Sequence, residues 1–81
     1  TIEDLIKKLD SDPDNIDLVC QVADKYFAIG DYKSAFDLLI KKYPKNKERS
    51  KGKMVEFFNA LGHTHEATVE YRKKLSQIMF S

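Results

Sequence analysis

The apolar residues of this 81-residue chain recur at the spacing of an α-helix along nearly its whole length. The alternation of apolar and polar residues that marks a β-strand is almost absent. Two stretches show the i, i+3, i+4, i+7 spacing in full: Ile2, Leu5, Ile6 and Leu9, and later Met54, Phe57, Phe58 and Leu61. The sequence therefore predicts an all-α fold.

Prolines and glycines divide this pattern into five predicted helices. We expect them at residues 1–10, 16–29, 32–43, 53–61 and 66–80, packed antiparallel, with residues 45–53 forming a polar, basic connector. The second helix is apolar over more than half of its circumference. A helix of that kind is packed on two sides, which places it inside a stack of helices.

A short pattern of aromatic, glycine and alanine residues occurs twice, 32 residues apart. The two copies are Tyr26, Gly30 and Ala35, and then Phe58, Gly62 and Ala67. The glycine permits a tight turn after a helix, and the alanine lets the next helix cross closely over the aromatic ring. Because repeats of 20 to 50 residues are typical of stacked helical units, we expect successive helical hairpins with one continuous core.

The stretch "VADKYFAIGDYKSAFDLLIKKYP" resembles the tetratricopeptide repeat family. The positions that match the family's small, aromatic, turn and interhelix residues are Ala23, Tyr26, Gly30, Tyr32, Ala35 and Leu39. The resemblance covers one good repeat, half a repeat before it and a degenerate repeat after it. It implies tetratricopeptide-like stacked hairpins in a single domain, residues 1–81.

The last third of the chain resembles the C-terminal end of the chaperedoxins, bacterial co-chaperones in which a thioredoxin domain precedes a tetratricopeptide-like domain. The residues that carry this resemblance are Leu61-Gly62, Tyr71-Arg72-Lys73-Lys74, Leu75 and Ile78-Met79-Phe80. The resemblance implies a domain that holds unfolded clients and docks on a GroEL-type chaperonin through its last helix. Since the chain begins at Thr1 rather than Met, we expect it to be a fragment of a longer chain. The resemblance implies that a thioredoxin domain precedes it.

The last predicted helix has two different faces. Its core stripe is predicted to consist of Ala67, Tyr71, Leu75, Ile78 and Met79. The opposite side carries two apolar residues with a polar and basic rim, and we predict these residues to bind a partner: Val69, Arg72, Lys73, Ser76 and Phe80. The alternative is that Phe80 folds back from a frayed helix end.

Charge is balanced overall, with 14 basic and 13 acidic residues, but it is unevenly distributed. Residues 1–40 carry nine acids and four bases, whereas residues 41–53 carry seven bases and one acid. The basic run is predicted to be a solvated connector between helices, and a polyanion-binding module is the alternative. Nucleic acid is not an expected partner, because the run has one aromatic residue and no predicted helix to enter a groove.

The chain offers few residues for covalent or metal chemistry. Cys20 shares an apolar arc with Ile16 and Phe27, so we predict a buried structural thiol. It is the only cysteine, so no internal disulfide can form, and we predict a reducing, cytoplasmic compartment. His63 and His65 lie in a turn without further ligands, which predicts that Thr64 or His65 caps the last helix rather than binds metal, with Glu66 in its first turn.

No arrangement of Ser, His and Asp, no paired carboxylates and no glycine-rich phosphate loop is present. We therefore predict a non-enzymatic protein-interaction domain without cofactor, metal or membrane contact. The runner-up function is a general tetratricopeptide scaffold in another complex.

Overall fold

The computed structural model describes all 81 residues as five α-helices joined by short turns, without a β-strand. The helices are α1 (Ile2–Ser11), α2 (Ile16–Ala28), α3 (Tyr32–Lys42), α4 (Lys47–Leu61) and α5 (Glu66–Met79), with a 3₁₀ turn at Tyr43–Lys45. The predicted all-α, five-helix fold is confirmed. None of the helices is both long and apolar enough to cross a membrane.

Local side chains and glycines set the ends of the helices. The side chain of Asn15 caps α2, and that of Asp31 caps α3 by accepting from the amide of Ser34 at 3.2 Å. Gly30 has φ 83° after α2, where the amide of Asp31 donates to the carbonyl of Tyr26 at 2.9 Å. Gly62 ends α4 with φ 90°. Both glycines adopt left-handed conformations that side chains with a Cβ disfavour.

The prediction of a connector at residues 45–53 is wrong, because α4 begins at Lys47, six residues before the predicted start at Lys53. Its first two turns contain no large apolar residue, which is why the apolar pattern did not reveal them. Lysine, arginine and glutamate are nevertheless good helix formers. Ser50 is fully buried there, so this part of α4 packs against the rest of the domain.

The helices stack as successive hairpins around one aromatic cluster. The ring of Phe36 on α3 stacks on Phe58 of α4 and Tyr71 of α5, with centroid distances of 5.1 and 4.8 Å. Helix α4 packs on both α2 and α3, and α5 packs on α3 and α4. Helix α1 packs on α2 alone. Each helix thus covers an apolar face of the hairpin that precedes or follows it.

The predicted core of α5 is correct at Tyr71 and Leu75, which are buried, but wrong at Met79, which is 36% exposed. Nothing in the chain covers this side of the last hairpin. Thr68, which the apolar pattern did not select, is fully buried instead. Its hydroxyl and that of Ser50 have no hydrogen-bond partner in the structure.

Candidate functional site

The outer face of α5 presents two isolated apolar side chains to solvent. Phe80 is 85% exposed and Val69 is 59% exposed. At about 100° and 1.5 Å per residue, residues 11 apart lie on nearly the same side of a helix and about 16 Å from each other. The amide of Phe80 donates to the carbonyl of Ser76 at 3.2 Å, so Phe80 continues from the end of α5. It does not fold back onto the core.

Basic side chains accompany these two residues. Arg72 and Lys73 are exposed and form no ion pair within the domain. Lys74 is different, because its ammonium pairs with Glu70 at 3.2 Å and lies 4.8 Å from the centre of the Tyr71 ring. The unpaired positive charge of α5 is therefore concentrated at Arg72 and Lys73.

A groove of about 420 Å³ separates the second half of α4 from α5. Its walls include Val55 and Phe58 from α4 and Arg72, Ser76 and Met79 from α5, with Thr68 among its lining residues. The predicted partner-binding set is thus divided between two surfaces. Arg72 and Ser76 line this groove, whereas Val69, Lys73 and Phe80 do not.

The basic run of residues 41–53 forms a row of three ion pairs with acids on α2 and in the turn before it. Lys45 pairs with Asp14 at 3.1 Å, Arg49 with Asp17 at 2.9 Å, and Lys53 with Asp24 at 3.1 Å. We call these three pairs the charge row. It brings three acids of the first half of the chain and three bases of its middle together, so part of the uneven charge distribution of the sequence is neutralised by these pairs.

Lys53 is the least exposed cation of the charge row, and its ammonium also pairs with Glu56 at 2.9 Å. Burial alone would lower the pKa of Lys53, but its hydrogen bonds to Glu56 and Asp24 raise it above the usual value for lysine. The charge row therefore holds Lys53 in its protonated form. Arg49 and Lys45 are more exposed, so their pairs contribute less to stability.

Cys20 lies beside the charge row and is buried, as its apolar neighbours in the sequence predict. Its sulfur is 4.0 Å from Nη2 of Arg49, at the edge of a polar groove of about 650 Å³ between α2 and α4. The prediction of a buried thiol is confirmed. The groove beside it is lined mainly by charged residues that already pair with one another.

The two histidines have separate roles. Nδ1 of His65 accepts from the amide of Ala67 at 3.0 Å, which caps α5, and its ring packs edge-on against Tyr32 with centroids 5.4 Å apart. Of the two predicted caps, His65 rather than Thr64 is therefore the one used. His63 is exposed at the end of the groove between α4 and α5. No group of three or more potential metal ligands is present.

Two residues that the sequence analysis did not assign to a binding surface are exposed at this groove: Val55 and Met79. Val55 is an apolar residue outside the stripe formed by Met54, Phe57, Phe58 and Leu61. This position was the sequence signal for its exposure. Met79 continues the predicted core stripe of α5, but no helix within residues 1–81 covers it.

A family model described as a tetratricopeptide repeat matches residues 1–80 of the chain. No match was found among curated proteins or among solved structures.

Proposed function

Because the chain belongs to the tetratricopeptide repeat family, whose members serve as non-enzymatic scaffolds for protein binding, we propose that it is the non-catalytic partner-docking domain of a chaperedoxin-type co-chaperone. In this proposal the stacked hairpins form a rigid support, and the outer face of α5 docks on a GroEL-type chaperonin. The domain acts in the cytoplasm, holds unfolded clients together with a thioredoxin domain upstream of Thr1, and hands them to the chaperonin.

The observation that carries the proposal is the exposure of Phe80, the most exposed large apolar side chain of the domain, at 85%. Aromatic side chains are frequent anchors of protein interfaces because they bury a large area at a low cost in conformational entropy. Val69 provides a second anchor on the same side of α5. Together they fit the mode in which one face of a helix enters an apolar groove of the partner.

The unpaired cation Lys73 completes this surface, and Arg72, which lines the groove between α4 and α5, lies at its border. Charges at the rim of an interface mainly raise the association rate and help to select the partner. We expect Lys73→Glu to slow chaperonin binding and to reduce its dependence on salt, with a smaller effect on dissociation.

Chaperonin capture by variants of the full chain tests the proposal. Phe80→Asp replaces the aromatic anchor of the docking surface by a charge, so we expect the affinity for a purified GroEL-type chaperonin to fall at least about tenfold, the size of a typical interface hot spot. Ile29→Asp is the matched control, because Ile29 is 69% exposed but lies at the end of α2. Circular dichroism verifies that both variants keep their helices.

Unchanged capture by a folded Phe80→Asp variant would contradict docking through α5. If neither the parent chain nor its variants bind chaperonin, the general scaffold in another complex becomes the better hypothesis. The gene sequence upstream of Thr1 separates the two at little cost, since only the co-chaperone proposal requires a thioredoxin domain there.

A further inference from the structure

The groove lies on the hairpin formed by α4 and α5. It corresponds to the surface of the hairpin formed by α2 and α3 that another helix already covers. A shift of 32 residues carries the hairpin of α2 and α3 onto that of α4 and α5, with Gly30 and Gly62 at the corresponding turns. The first hairpin holds α4, which packs on both of its helices. The second hairpin holds no helix at the corresponding place.

The residues at corresponding positions explain why the second surface remains open. Phe27 and Phe36 hold α4 on the first hairpin, since Phe27 stacks on Phe57 at 4.3 Å and Phe36 stacks on Phe58 at 5.1 Å. Their counterparts 32 residues later are Asn59 and Thr68, both at the groove. Smaller polar residues replace two rings there, and a groove of about 420 Å³ results.

Exposed apolar atoms show that the groove can still hold apolar side chains. Val55 is 39% exposed on one wall and Met79 is 36% exposed on the other. A volume of this size lies within the range of about 300–1,000 Å³ typical of binding pockets. Each wall of the groove thus carries one exposed apolar side chain, and the corresponding surface of the first hairpin binds a helix.

The charge of the groove selects among possible occupants. Its ionisable lining residues are Arg72 and His63, without any carboxylate. Charge complementarity across an interface therefore favours an occupant that carries carboxylates facing Arg72.

A second copy of this chain does not provide such a helix. Its exposed large apolar residues are Ile29, Val55, Val69, Met79 and Phe80, which lie only at the end of α2, on α4 and on α5. On α5 the unpaired cations Arg72 and Lys73 lie between Val69 and Phe80, against a single unpaired acid, Glu66, so a second copy placed through α5 would bring net positive charge against Arg72. The acids of α2 are engaged in the charge row.

We propose that the groove between α4 and α5 is a docking site for one amphipathic helix of a partner protein, with an apolar stripe against Val55 and Met79 and carboxylates facing Arg72. This helix extends the stack as α4 extends the first hairpin. The site is separate from the outer face of α5, where Val69 and Phe80 lie, and it does not depend on chaperonin binding.

Two fluorescent peptides based on α4 probe the site, because α4 is the helix that packs on the corresponding surface of the first hairpin. One has the native sequence of residues 47–61, and the other carries Lys47→Glu, Arg49→Glu, Lys51→Glu and Lys53→Glu. The two share the same apolar stripe but have opposite net charge. Measured by fluorescence anisotropy with the full chain, the acidic peptide is expected to bind at least about tenfold more tightly.

Variants of the chain locate the binding. The double variant Val55→Ser with Met79→Ser removes apolar contacts without adding charge, and we expect it to weaken the acidic peptide at least about tenfold. The matched control, Val69→Ser with Phe80→Ser, changes the outer face of α5 and leaves peptide binding unchanged. Arg72→Glu reverses the preference between the two peptides. Circular dichroism confirms that all variants are folded.

Equal binding of the two peptides, or unchanged binding of the acidic peptide by the folded Val55→Ser, Met79→Ser variant, overturns the proposal. Sedimentation of the chain alone provides a further test. A dimer that dissociates in this double variant would show that a second copy occupies the groove, which also overturns it. Loss of chaperonin capture in the outer-face control, with peptide binding intact, separates this site from the proposed chaperonin surface.

Discussion

At the scale of single residues, Tyr71 connects the last helix to the third. Its hydroxyl donates to Oδ1 of Asp37 at 2.8 Å, while its ring stacks on Phe36. Burial raises the pKa of the Tyr71 phenol, and the hydrogen bond to the Asp37 carboxylate raises it further. The folded domain therefore favours the protonated phenol.

Tyr71→Phe removes this hydrogen bond but keeps the ring. We expect the variant to lose about 1 kcal/mol of unfolding free energy at pH 7, since its acceptor Asp37 is exposed and regains water. The contribution of the phenol is fully present below its unfolded pKa of about 10 and is lost as the pH rises through the folded pKa.

Urea denaturation between pH 7 and pH 11 measures both effects. The parent chain should lose stability above about pH 10 more steeply than Tyr71→Phe, so that the two curves converge. The difference between the two proteins isolates Tyr71 from the lysines, which titrate in the same range. Parallel curves would contradict the assigned role of the phenol.

Single residues also show which features the sequence alone predicts well. Tyr71 and Leu75 belong to the core of α5, and Gly30 and Gly62 occupy turns where φ is positive, because local patterns decide these features. Thr68 and Met79 are different, since a neighbouring helix or its absence decides their burial. The sequence of α5 contains no signal for that.

At the scale of helices, the five helices are predicted correctly, but the start of α4 is not, and the charge row shows why. The sequence shows that acids precede bases, but not that α2 and α4 lie side by side, because the pairs join residues about 30 positions apart. Long-range pairing and burial of Ser50 extend α4 to Lys47, beyond its apolar stripe. The five helices were thus predictable, while the start of α4 depended on tertiary contacts.

The charge row also makes a prediction about polyanions. With Lys45, Arg49 and Lys53 paired to carboxylates, the parent chain should elute from heparin at low salt. The triple variant Asp14→Asn, Asp17→Asn and Asp24→Asn frees Lys45 and Arg49 and leaves Lys53 paired with Glu56 alone. It should elute at clearly higher salt, because each additional phosphate or sulfate contact steepens the salt dependence.

A control with the same change in net charge is Glu3→Gln, Asp10→Asn and Glu66→Gln, since none of these acids forms an ion pair. It should elute close to the parent chain. Tight retention of the parent chain near physiological salt would instead favour the polyanion-binding hypothesis for residues 41–53.

At the scale of the whole molecule, stability is distributed unevenly along the stack. Repeat domains gain stability from contacts between neighbouring elements, so their ends open more readily than their centre. Helix α1 packs on α2 alone, while α3 contacts α2, α4 and α5. The aromatic cluster around Phe36 joins α3, α4 and α5, and α1 has no part in it.

Native-state hydrogen exchange should follow this order. We expect the amides of α2 and α3 to exchange most slowly and those of α1 to exchange at least about tenfold faster, because α1 opens without disturbing the aromatic cluster. Leu9→Ala should accelerate exchange mainly in α1, where Leu9 is the only buried residue. Phe36→Leu should accelerate it in α3, α4 and α5 together, since all three share its ring contacts. Exchange in α1 as slow as in α3, or a uniform response to Leu9→Ala, would show that the domain opens only as a single unit.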